Sequence, residues 1–506
     1  MTKGVGKRRS RGSALILYTV LLPTLLMFVG LAIDLSMLYV VQTRLSVAVD
    51  GAALGAGRLL GTSANTTEIA GEFLRANYPT GFWGSYNLVP SITYTTNAAL
   101  HTIAVSASVQ VPLLFLRILR QQSCTVAATA TAVRRDVRVV LVLDRSYSMV
   151  SQMGALRSAA GNFVNMFNPG VDELGLVVYS ASGFVAYPNP GSTPSANYTG
   201  GPGPDVHFAD PVTAGSDNML TTIASLQVGT DTNTSEALWL AYLELKKAVA
   251  IDNDPTRANV IVLFTDGVPN GFTGYLNDPS HNALKSGNCY YNPSTASSNR
   301  MIGMVASAPT GYASGLDYWD PNASTGDGLY APLIFNTAHS AKYWASFKSG
   351  GSFVDDMTQV SGTPMTTCIN IGEKNLSGLR KIPSQDFYGN STTSAAYTKS
   401  LLYNTYHVAY DATKPNNGYQ MELASWGAVD NAGQRILSDS AMNIAIYTIG
   451  FTGNGGVDKE LLKRLSNVQD TPNSNYQTGL YVEANDAQSL QRAFGQVASE
   501  VLRLTK

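Results

Sequence analysis

The stretch Arg138–Met149, RVVLVLDRSYSM, decides the fold of this chain of 506 residues. It contains five consecutive apolar residues, VVLVL, and such a run is typical of a strand buried on both faces of a parallel sheet. The run ends on a loop in which Asp144, Ser146 and Ser148 occupy alternate positions, and SQMGALRSAAGNFVNMF follows with helical spacing. The stretch therefore predicts a buried strand, a loop rich in carboxylate and hydroxyl oxygens, and a helix.

Apolar and helical segments continue to alternate toward the carboxyl terminus. Leu174–Ser180, Ala258–Gly267 and Met442–Phe451 are predicted strands, and Gly183–Pro188 is a predicted edge strand. Helical segments separate them, among them SEALWLAYLELKKAVA and AQSLQRAFGQVASEVLRL. This pattern predicts an α/β fold with a doubly wound, mostly parallel sheet. Ligands of such sheets bind beyond the carboxyl ends of the strands.

Three loops at that edge supply oxygen ligands. Besides the first loop, Asp266 ends a strand in FTDG and Thr232 lies in DTNTSEAL before a helix, with Thr230 as an alternative. Hydroxyls with few carboxylates suit a hard cation that retains water, so we predict Mg²⁺, with Mn²⁺ or Ca²⁺ as alternatives. The predicted metal ligands are Asp144, Ser146, Ser148, Thr232 and Asp266.

The amino terminus predicts a membrane anchor. Basic residues crowd the first eleven positions, and the uncharged run Gly12–Ile33 follows. As a helix this run would be about 33 Å long, enough for the roughly 30 Å hydrocarbon core of a bilayer. The basic flank favours a cytoplasmic amino terminus with the bulk of the chain outside. A cleaved signal peptide is the alternative.

The helical pattern continues past Asp34 and contains many small residues. This predicts a pilin-like stem, with a simple helical linker as the alternative. The segment resembles the amino terminus of TadG-like proteins of tight-adherence (Flp) pilus systems, in Gly12, Leu22–Pro23, Gly30–Asp34 and Arg44–Ala53. Processed pilins carry Glu five residues after the cleaved Gly, where this chain has Leu17. Cleavage at Gly12 is therefore not predicted.

Residues 137 to about 270 and 441 to 505 resemble the von Willebrand factor A domain with its metal-ion-dependent adhesion site. The D-x-S-x-S, Thr and Asp elements occur in the expected order, although Tyr147 stands where bacterial members often have Gly. The resemblance implies that the hydroxyls of Ser146 and Ser148 ligate directly. It also implies that Thr232 joins in an open state, and that both aspartates act directly or through water. An A domain whose site has lost its metal is the alternative.

These patterns together predict the domain organisation. Residues 1–12 form a cytoplasmic head, 13–33 a transmembrane helix, 34–135 the stem with a small α+β segment, and 136–506 the A domain. Residues 270–440 are an insertion in that domain, and hold 13 of the 26 tyrosines. Cys289 and Cys368 both fall within it. Outside the cytoplasm they could form a disulfide, and two separate buried thiols are the alternative.

Composition and motifs exclude several functions. Only 14% of residues are charged, with the signs nearly balanced, which argues against nucleic-acid binding. No G-x-S-x-G elbow, phosphate-binding loop or dinucleotide fingerprint occurs, so we predict that the chain is not an enzyme. We expect a single-pass protein of a bacterial cell membrane, associated with Flp pili, that uses its A domain for metal-dependent adhesion. Its expected partners are pilus subunits, other envelope proteins, or a surface protein or glycan that offers a carboxylate. The alternative is an assembly scaffold without an adhesive role.

Overall fold

The structure, a computed structural model, describes residues 11–57, 59–60, 65–180, 183–188, 203–210, 218–229, 232–252, 254, 256–275, 302–306, 418–454 and 456–503. The chain divides into two compact units between Arg135 and Asp136. The amino-terminal unit is built around one long helix, and the carboxyl-terminal unit around one sheet.

Helix α1, Arg11–Gly57, changes character along its length. The side chains of residues 18–29 are all exposed, although most are apolar. From Gly30 onward one stripe is buried at helical spacing, comprising Met37, Val41, Leu45, Ala48, Ala52 and Ala56. Within the described residues, this is the one helix long and apolar enough to cross a membrane. The second half of α1 therefore packs on protein, whereas residues 18–29 expose their side chains.

The buried stripe packs on a second helix and a sheet. Helix α2, Thr66–Asn77, begins at Asn65, whose side chain accepts a hydrogen bond from the Glu68 N–H. An antiparallel sheet follows in the order β1-β2-β3, formed by Tyr86–Asn97, Leu100–Pro112 and Ser123–Arg135. Burial alternates along β2, as expected for a strand with one face against a helix. The predicted α+β segment is confirmed.

The carboxyl-terminal unit contains a six-stranded sheet in the order β11-β10-β7-β4-β5-β6. Every neighbouring pair is parallel except β5 and β6, which are antiparallel. The strands are β4 Val137–Asp144, β5 Glu173–Tyr179, β6 Gly183–Tyr187, β7 Ala258–Thr265, β10 Ala445–Phe451 and β11 Tyr481–Ala484. All residues of β4 and β5 are buried, because both strands lie inside the sheet and under helices on both faces.

Helices cover both faces of this sheet. On one face lie α3 Met153–Val164, α4 Met219–Ala224 and α8 Ala487–Arg503. On the other lie α5 Thr234–Asp252, α6 Gly418–Leu437 and α7 Lys459–Leu465. The ring of Phe494 contacts both Phe163 and Phe264, which joins two helices and the central sheet. The predicted doubly wound α/β fold is confirmed.

The predicted insertion begins with a two-stranded antiparallel sheet, β8 Gly271–Tyr275 and β9 Ile302–Ala306. Most of the remainder of residues 270–440 lies outside the described residues, and so do Cys289 and Cys368.

A guanidinium group is buried inside the sheet, at the edge formed by the amino ends of the strands. Arg138 of β4 is fully buried, and its Nε donates to Glu173 of β5 at 2.9 Å. Its Nη1 donates to the Asn259 side chain of β7 at 3.3 Å. The guanidinium therefore bridges the two strands that flank β4, where an apolar side chain would have been expected.

Candidate metal-binding site

Two aspartates lie at the carboxyl ends of neighbouring strands. Asp144 is the last residue of β4, and Asp266 directly follows β7. Because β4 and β7 are paired in parallel, with Leu143 opposite Phe264, both strands end at the same edge of the sheet. Asp144 is fully buried and Asp266 is 2% exposed. The topology alone thus brings two buried carboxylates from distant parts of the chain to one place.

The loop after β4 folds back over Asp144. The Ser146 N–H donates to Asp144 Oδ1 at 2.8 Å, and a short 3₁₀ helix, Tyr147–Ser151, begins at the next residue. This turn brings the hydroxyls of Ser146 and Ser148 to 3.0 Å from each other. The side chain of Tyr147, between them in sequence, is 69% exposed. The alternation of polar residues therefore places two hydroxyls inward and one aromatic ring outward.

Both hydroxyls converge on Asp266. Ser148 Oγ donates to Asp266 Oδ1 at 2.8 Å, and Ser146 Oγ lies 3.3 Å from the same oxygen. The second oxygen, Oδ2, accepts a hydrogen bond from Asn454 Nδ2 at 3.1 Å. Asn454 Nδ2 also donates to the Ser148 carbonyl oxygen at 2.9 Å. One asparagine thus ties the loop after β4 to the residue after β7.

Asp144 is held by protein on both carboxylate oxygens. In addition to the bond from Ser146 to Oδ1, Thr265 Oγ1 donates to Oδ2 at 2.7 Å. Asp144 is therefore fixed in orientation by its own loop and by the neighbouring strand. Its place beneath the serines suits a residue that acts through a water molecule or through the serines.

Thr232 lies beside this group without a direct bond to it. A Cβ atom added at Gly267 would lie 3.6 Å from Thr232 Oγ1 and 3.9 Å from Ser148 Oγ, so both hydroxyls border the same small space. The loop is held by the Thr232 N–H, which donates to Asn270 Oδ1 at 2.8 Å. The structure brings Asp144, Ser146, Ser148 and Asp266 into one bonded group and places Thr232 at its margin. The alternative, Thr230, lies outside the described residues.

The electrostatics of the group favour a bound positive charge. Burial raises the pKa of Asp144, and the neighbouring negative charge of Asp266 raises it further. Burial also raises the pKa of Asp266, while hydrogen bonds from Asn454 and the two serines oppose that rise. Two carboxylates that resist ionisation because they are buried together are stabilised by a cation between or beside them.

The oxygen spacing also fits a small divalent cation. Mg²⁺ binds oxygen at about 2.1 Å in octahedral geometry, which places adjacent ligand oxygens about 3 Å apart. The two serine hydroxyls and Asp266 Oδ1 are separated by 2.8 to 3.3 Å. Across the described residues, no three His, Cys, Asp or Glu side chains are grouped so that they could hold a metal. A cation at this edge would therefore depend on hydroxyl oxygens together with two carboxylates.

Two residues of this group were missed by the sequence analysis. Thr265 is the last residue of β7, directly before Asp266, and Asn454 lies in TGNGG, just beyond β10. Because β10 is the parallel neighbour of β7, its carboxyl end reaches the same edge. The rule that identified Asp144 and Asp266, namely polar residues following buried parallel strands, also places Asn454 at this edge, although it does not reveal its bond to Asp266.

Two protein-family models match separate parts of the chain. The model of the Flp pilus-assembly TadE/G-like family (Tad) matches residues 12–59, and the model of the von Willebrand factor type A domain matches residues 139–291. No curated protein sequence matches the chain.

Several solved structures are similar at low identity. The PilB minor pilin from Streptococcus sanguinis is 12% identical with a TM-score of 0.34, over 84% of this chain and 80% of that one. The vWF domain of the type V pili tip protein Mfa5 from Porphyromonas gingivalis is 16% identical with a TM-score of 0.31, over 74% of this chain and 98% of that one. The two family matches therefore carry the assignment: the chain combines a TadE/G-like amino-terminal segment with a von Willebrand factor type A domain.

Proposed function

We propose that this chain is a membrane-anchored, pilus-associated protein that binds partners outside the cytoplasm through a divalent cation held by its A domain. The observation that carries the proposal is the convergence of Ser146, Ser148 and Asp266 at 2.8 to 3.3 Å above the buried Asp144. These oxygens come from two distant segments, and a structural role alone does not require them to meet at an open edge of the sheet.

Mg²⁺ is the proposed cation. Neutral hydroxyls and a small number of carboxylates bind hard cations, and Mg²⁺ keeps several of its waters when so few protein ligands are offered. Mn²⁺ has similar preferences, and Ca²⁺ is the remaining candidate, although it takes more oxygen ligands. A bound cation with retained waters offers a coordination position to an oxygen of a partner, and a carboxylate suits it best.

The residues of the proposed site have different roles in holding the cation. Ser146, Ser148 and Asp266 Oδ1 present the oxygens, Asp144 holds the Ser146 backbone in place, and Asn454 fixes Asp266. Tyr147 and Val150 are 69% and 61% exposed beside these oxygens. An exposed ring and an exposed aliphatic side chain at the rim would contact the apolar parts of a partner whose carboxylate reaches the cation. The proposed partners are pilus subunits, other envelope proteins, or a surface protein or glycan that carries an acidic group.

The location rests on α1 and its flanks. The helix is apolar and exposed over residues 18–29, and basic residues precede it. We propose that residues 13–33 span a bacterial cell membrane once, with the amino terminus in the cytoplasm, because positively charged flanks are retained there.

Titration calorimetry of the full chain in detergent micelles tests the cation. Wild type is expected to bind one Mg²⁺ or Mn²⁺, and Asp144→Ala and Ser148→Ala are expected to weaken or abolish binding. Asp470→Asn is the matched control, because Asp470 is an exposed carboxylate outside the group. Absence of binding by wild type, or equal binding by all variants, would reject the metal site.

Fractionation of the producing cells tests the adhesive role. If the protein binds partners at the cell surface, it is expected in sheared pilus fractions, and Asp144→Ala is expected to lower surface attachment while leaving pili present. Exclusive retention in the membrane, together with loss of pili in the deletion strain, would instead support an assembly scaffold.

A further inference from the structure

The loop between β2 and β3 of the amino-terminal unit exposes an unusual set of side chains. Its sequence is LLFLRILRQQ over residues 113–122, and residues 116–119 form one turn of 3₁₀ helix. Leu114 is 59% exposed, Phe115 40% and Ile118 79%. Loops usually expose polar residues, and clustered exposed apolar side chains mark a surface that is covered by something else.

This loop is fixed to α1 by a buried carboxylate. Asp34 is fully buried, and its Oδ1 accepts a hydrogen bond from the Leu114 N–H at 2.9 Å. Its Oδ2 accepts bonds from the N–H groups of Phe115 and Leu116 at 3.0 and 2.8 Å. Three consecutive backbone N–H groups donate to one carboxylate and so fix the conformation at the start of the loop. The apolar side chains of the loop are therefore exposed in a well-defined backbone conformation.

A glycine one turn earlier sets how closely the loop approaches. A Cβ atom at Gly30 would lie 2.4 Å from the ring of Phe115, so only glycine lets this ring rest against the helix backbone. Gly30 and Asp34 are the first buried residues of α1 after the exposed stretch 18–29. The loop is therefore attached where the exposed apolar half of the helix ends.

The neighbouring features at this end of the sheet have the same character. Trp83 is 58% exposed and Tyr86 50%, and a Cβ atom added at Gly84, between them, would lie 3.5 Å from Pro112 at the end of β2. Arg117 and Arg120 of the loop are exposed as well. Aromatic side chains and arginines beside an apolar helix are the composition of a membrane interface, where rings sit at headgroup level and guanidinium groups bind phosphate.

We propose that the β2–β3 loop is a second membrane contact of this unit, in which Leu114, Phe115 and Ile118 enter the bilayer interface and Arg117 and Arg120 bind lipid phosphate. This inference rests on the proposed membrane anchoring by α1. The contact fixes the depth and tilt of the helix, because a helix alone is free to tilt and rotate whereas a loop bonded to it at Asp34 adds a second point of contact.

Fluorescence quenching in vesicles tests the contact. The full chain is reconstituted into vesicles of phosphatidylcholine and phosphatidylglycerol, with or without bromine on the acyl chains, as wild type, Ile118→Trp and Thr95→Trp. Thr95 is the matched control, because it is exposed in β1 near the turn at the opposite end of the same sheet. The fluorescence that Ile118→Trp adds to wild type is expected to be blue-shifted and largely lost on brominated lipid, whereas that added by Thr95→Trp is expected to be unaffected.

A second set of variants tests the arginines. In the Ile118→Trp background, Arg117→Gln/Arg120→Gln is expected to reduce quenching on vesicles that contain phosphatidylglycerol. Arg44→Gln/Arg75→Gln, which removes the same charge elsewhere in the unit, is expected to leave quenching unchanged. Equal effects of the two pairs would overturn the phosphate contact.

The outcomes separate this contact from the anchor itself. Flotation of wild type with the vesicles reports the anchor: if the protein does not float, both proposals are rejected. If it floats but the two added tryptophans are quenched alike, only the loop contact is rejected. The emission of Ile118→Trp could instead be blue-shifted, not quenched by brominated lipid, and stronger at a higher protein-to-lipid ratio. That result would show that another protein copy, and not lipid, covers the loop.

Discussion

Asp266→Asn is expected to change stability in opposite directions with and without a divalent cation. The substitution keeps the shape of the side chain, so the Ser148 and Ser146 hydroxyls retain an acceptor. The Asn454 amide can turn to present its oxygen to the new amide, in exchange for its exposed bond to the Ser148 carbonyl oxygen. What it removes is one of two buried negative charges. Without cation this charge destabilises the folded state, because it repels the charge of Asp144. With cation the same carboxylate is a ligand and stabilises the folded state.

The size of the first effect follows from the contacts. Two like charges separated by one serine side chain, about 5 Å, repel by about 3 kcal/mol at an effective dielectric constant of about 20. Against this gain, the hydrogen bonds that Ser148 and Asn454 make to the charged carboxylate become bonds to a neutral amide, a loss of about 1 kcal/mol each. The third bond, from Ser146 at 3.3 Å, is the longest and contributes least. The balance predicts that the variant is more stable than wild type by about 1 kcal/mol in chelator.

A bound cation reverses the order of stability of wild type and Asp266→Asn. At a free Mg²⁺ concentration about 100 times the dissociation constant, wild type gains about 2.7 kcal/mol, whereas a variant that has lost a ligand gains little. Wild type is then expected to be more stable by about 2 kcal/mol. Thermal unfolding of the full chain in micelles, followed through Trp239 and Trp426 of the A domain, measures both conditions. The reasoning is refuted if Asp266→Asn is less stable than wild type in chelator, or if Mg²⁺ raises both midpoints equally; Asp470→Asn should follow wild type throughout.

Three further predictions use other residues of the A domain. Asn454→Ala is expected to weaken cation binding by about tenfold, the lower end for residues that orient a metal ligand, as measured by calorimetry. Burial raises the pKa of Glu244 from 4.5 to about 7 despite the nearby Lys247. The unfolded chain therefore ionises first, and stability falls as pH rises from 4.5 to 7. Glu244→Gln should remove this fall and stabilise the protein at pH 8 by up to about 3 kcal/mol, with little effect at pH 4. Arg138→Met is expected to lower the free energy of unfolding by about 2 kcal/mol, because Glu173 loses one ion-pair partner and keeps Arg257 as the other.

Each of these has an outcome that contradicts it. Unchanged Mg²⁺ affinity in Asn454→Ala would show that the bond to Asp266 does not orient the ligand. An equal effect of Glu244→Gln at pH 4 and pH 8 would mean that the carboxyl group does not titrate differently on folding. For Arg138→Met, the paired change Arg138→Met/Glu173→Met should recover much of the loss, since the desolvated charge is then absent; no recovery would point to lost packing instead.

Buried strands and strand ends were predictable from sequence, whereas contacts between loops were not. The apolar runs of β4 and β7 specify parallel strands through composition alone, and the first polar residues after them fall at the ligand edge by topology. The bond from Asn454 to Asp266 joins residues 188 positions apart, and nothing local in TGNGG distinguishes a ligand-orienting asparagine from a turn residue. The same holds for Asp34, whose role as acceptor for three N–H groups of the β2–β3 loop depends on a distant hairpin that packs on α1.

The membrane contact and the cation site depend on separate sets of residues. A substitution that disrupts one of them is therefore expected to leave the other intact. The contact uses the β2–β3 loop and α1, all within the unit that ends at Arg135, and the cation site uses strand ends of the unit that begins at Asp136. Asp266→Asn should therefore leave the quenching of Ile118→Trp unchanged, and Arg117→Gln/Arg120→Gln should leave Mg²⁺ affinity unchanged. A cross effect in either direction would mean that the protein couples membrane engagement to partner binding, which is a different mechanism from an anchor that carries an autonomous binding domain.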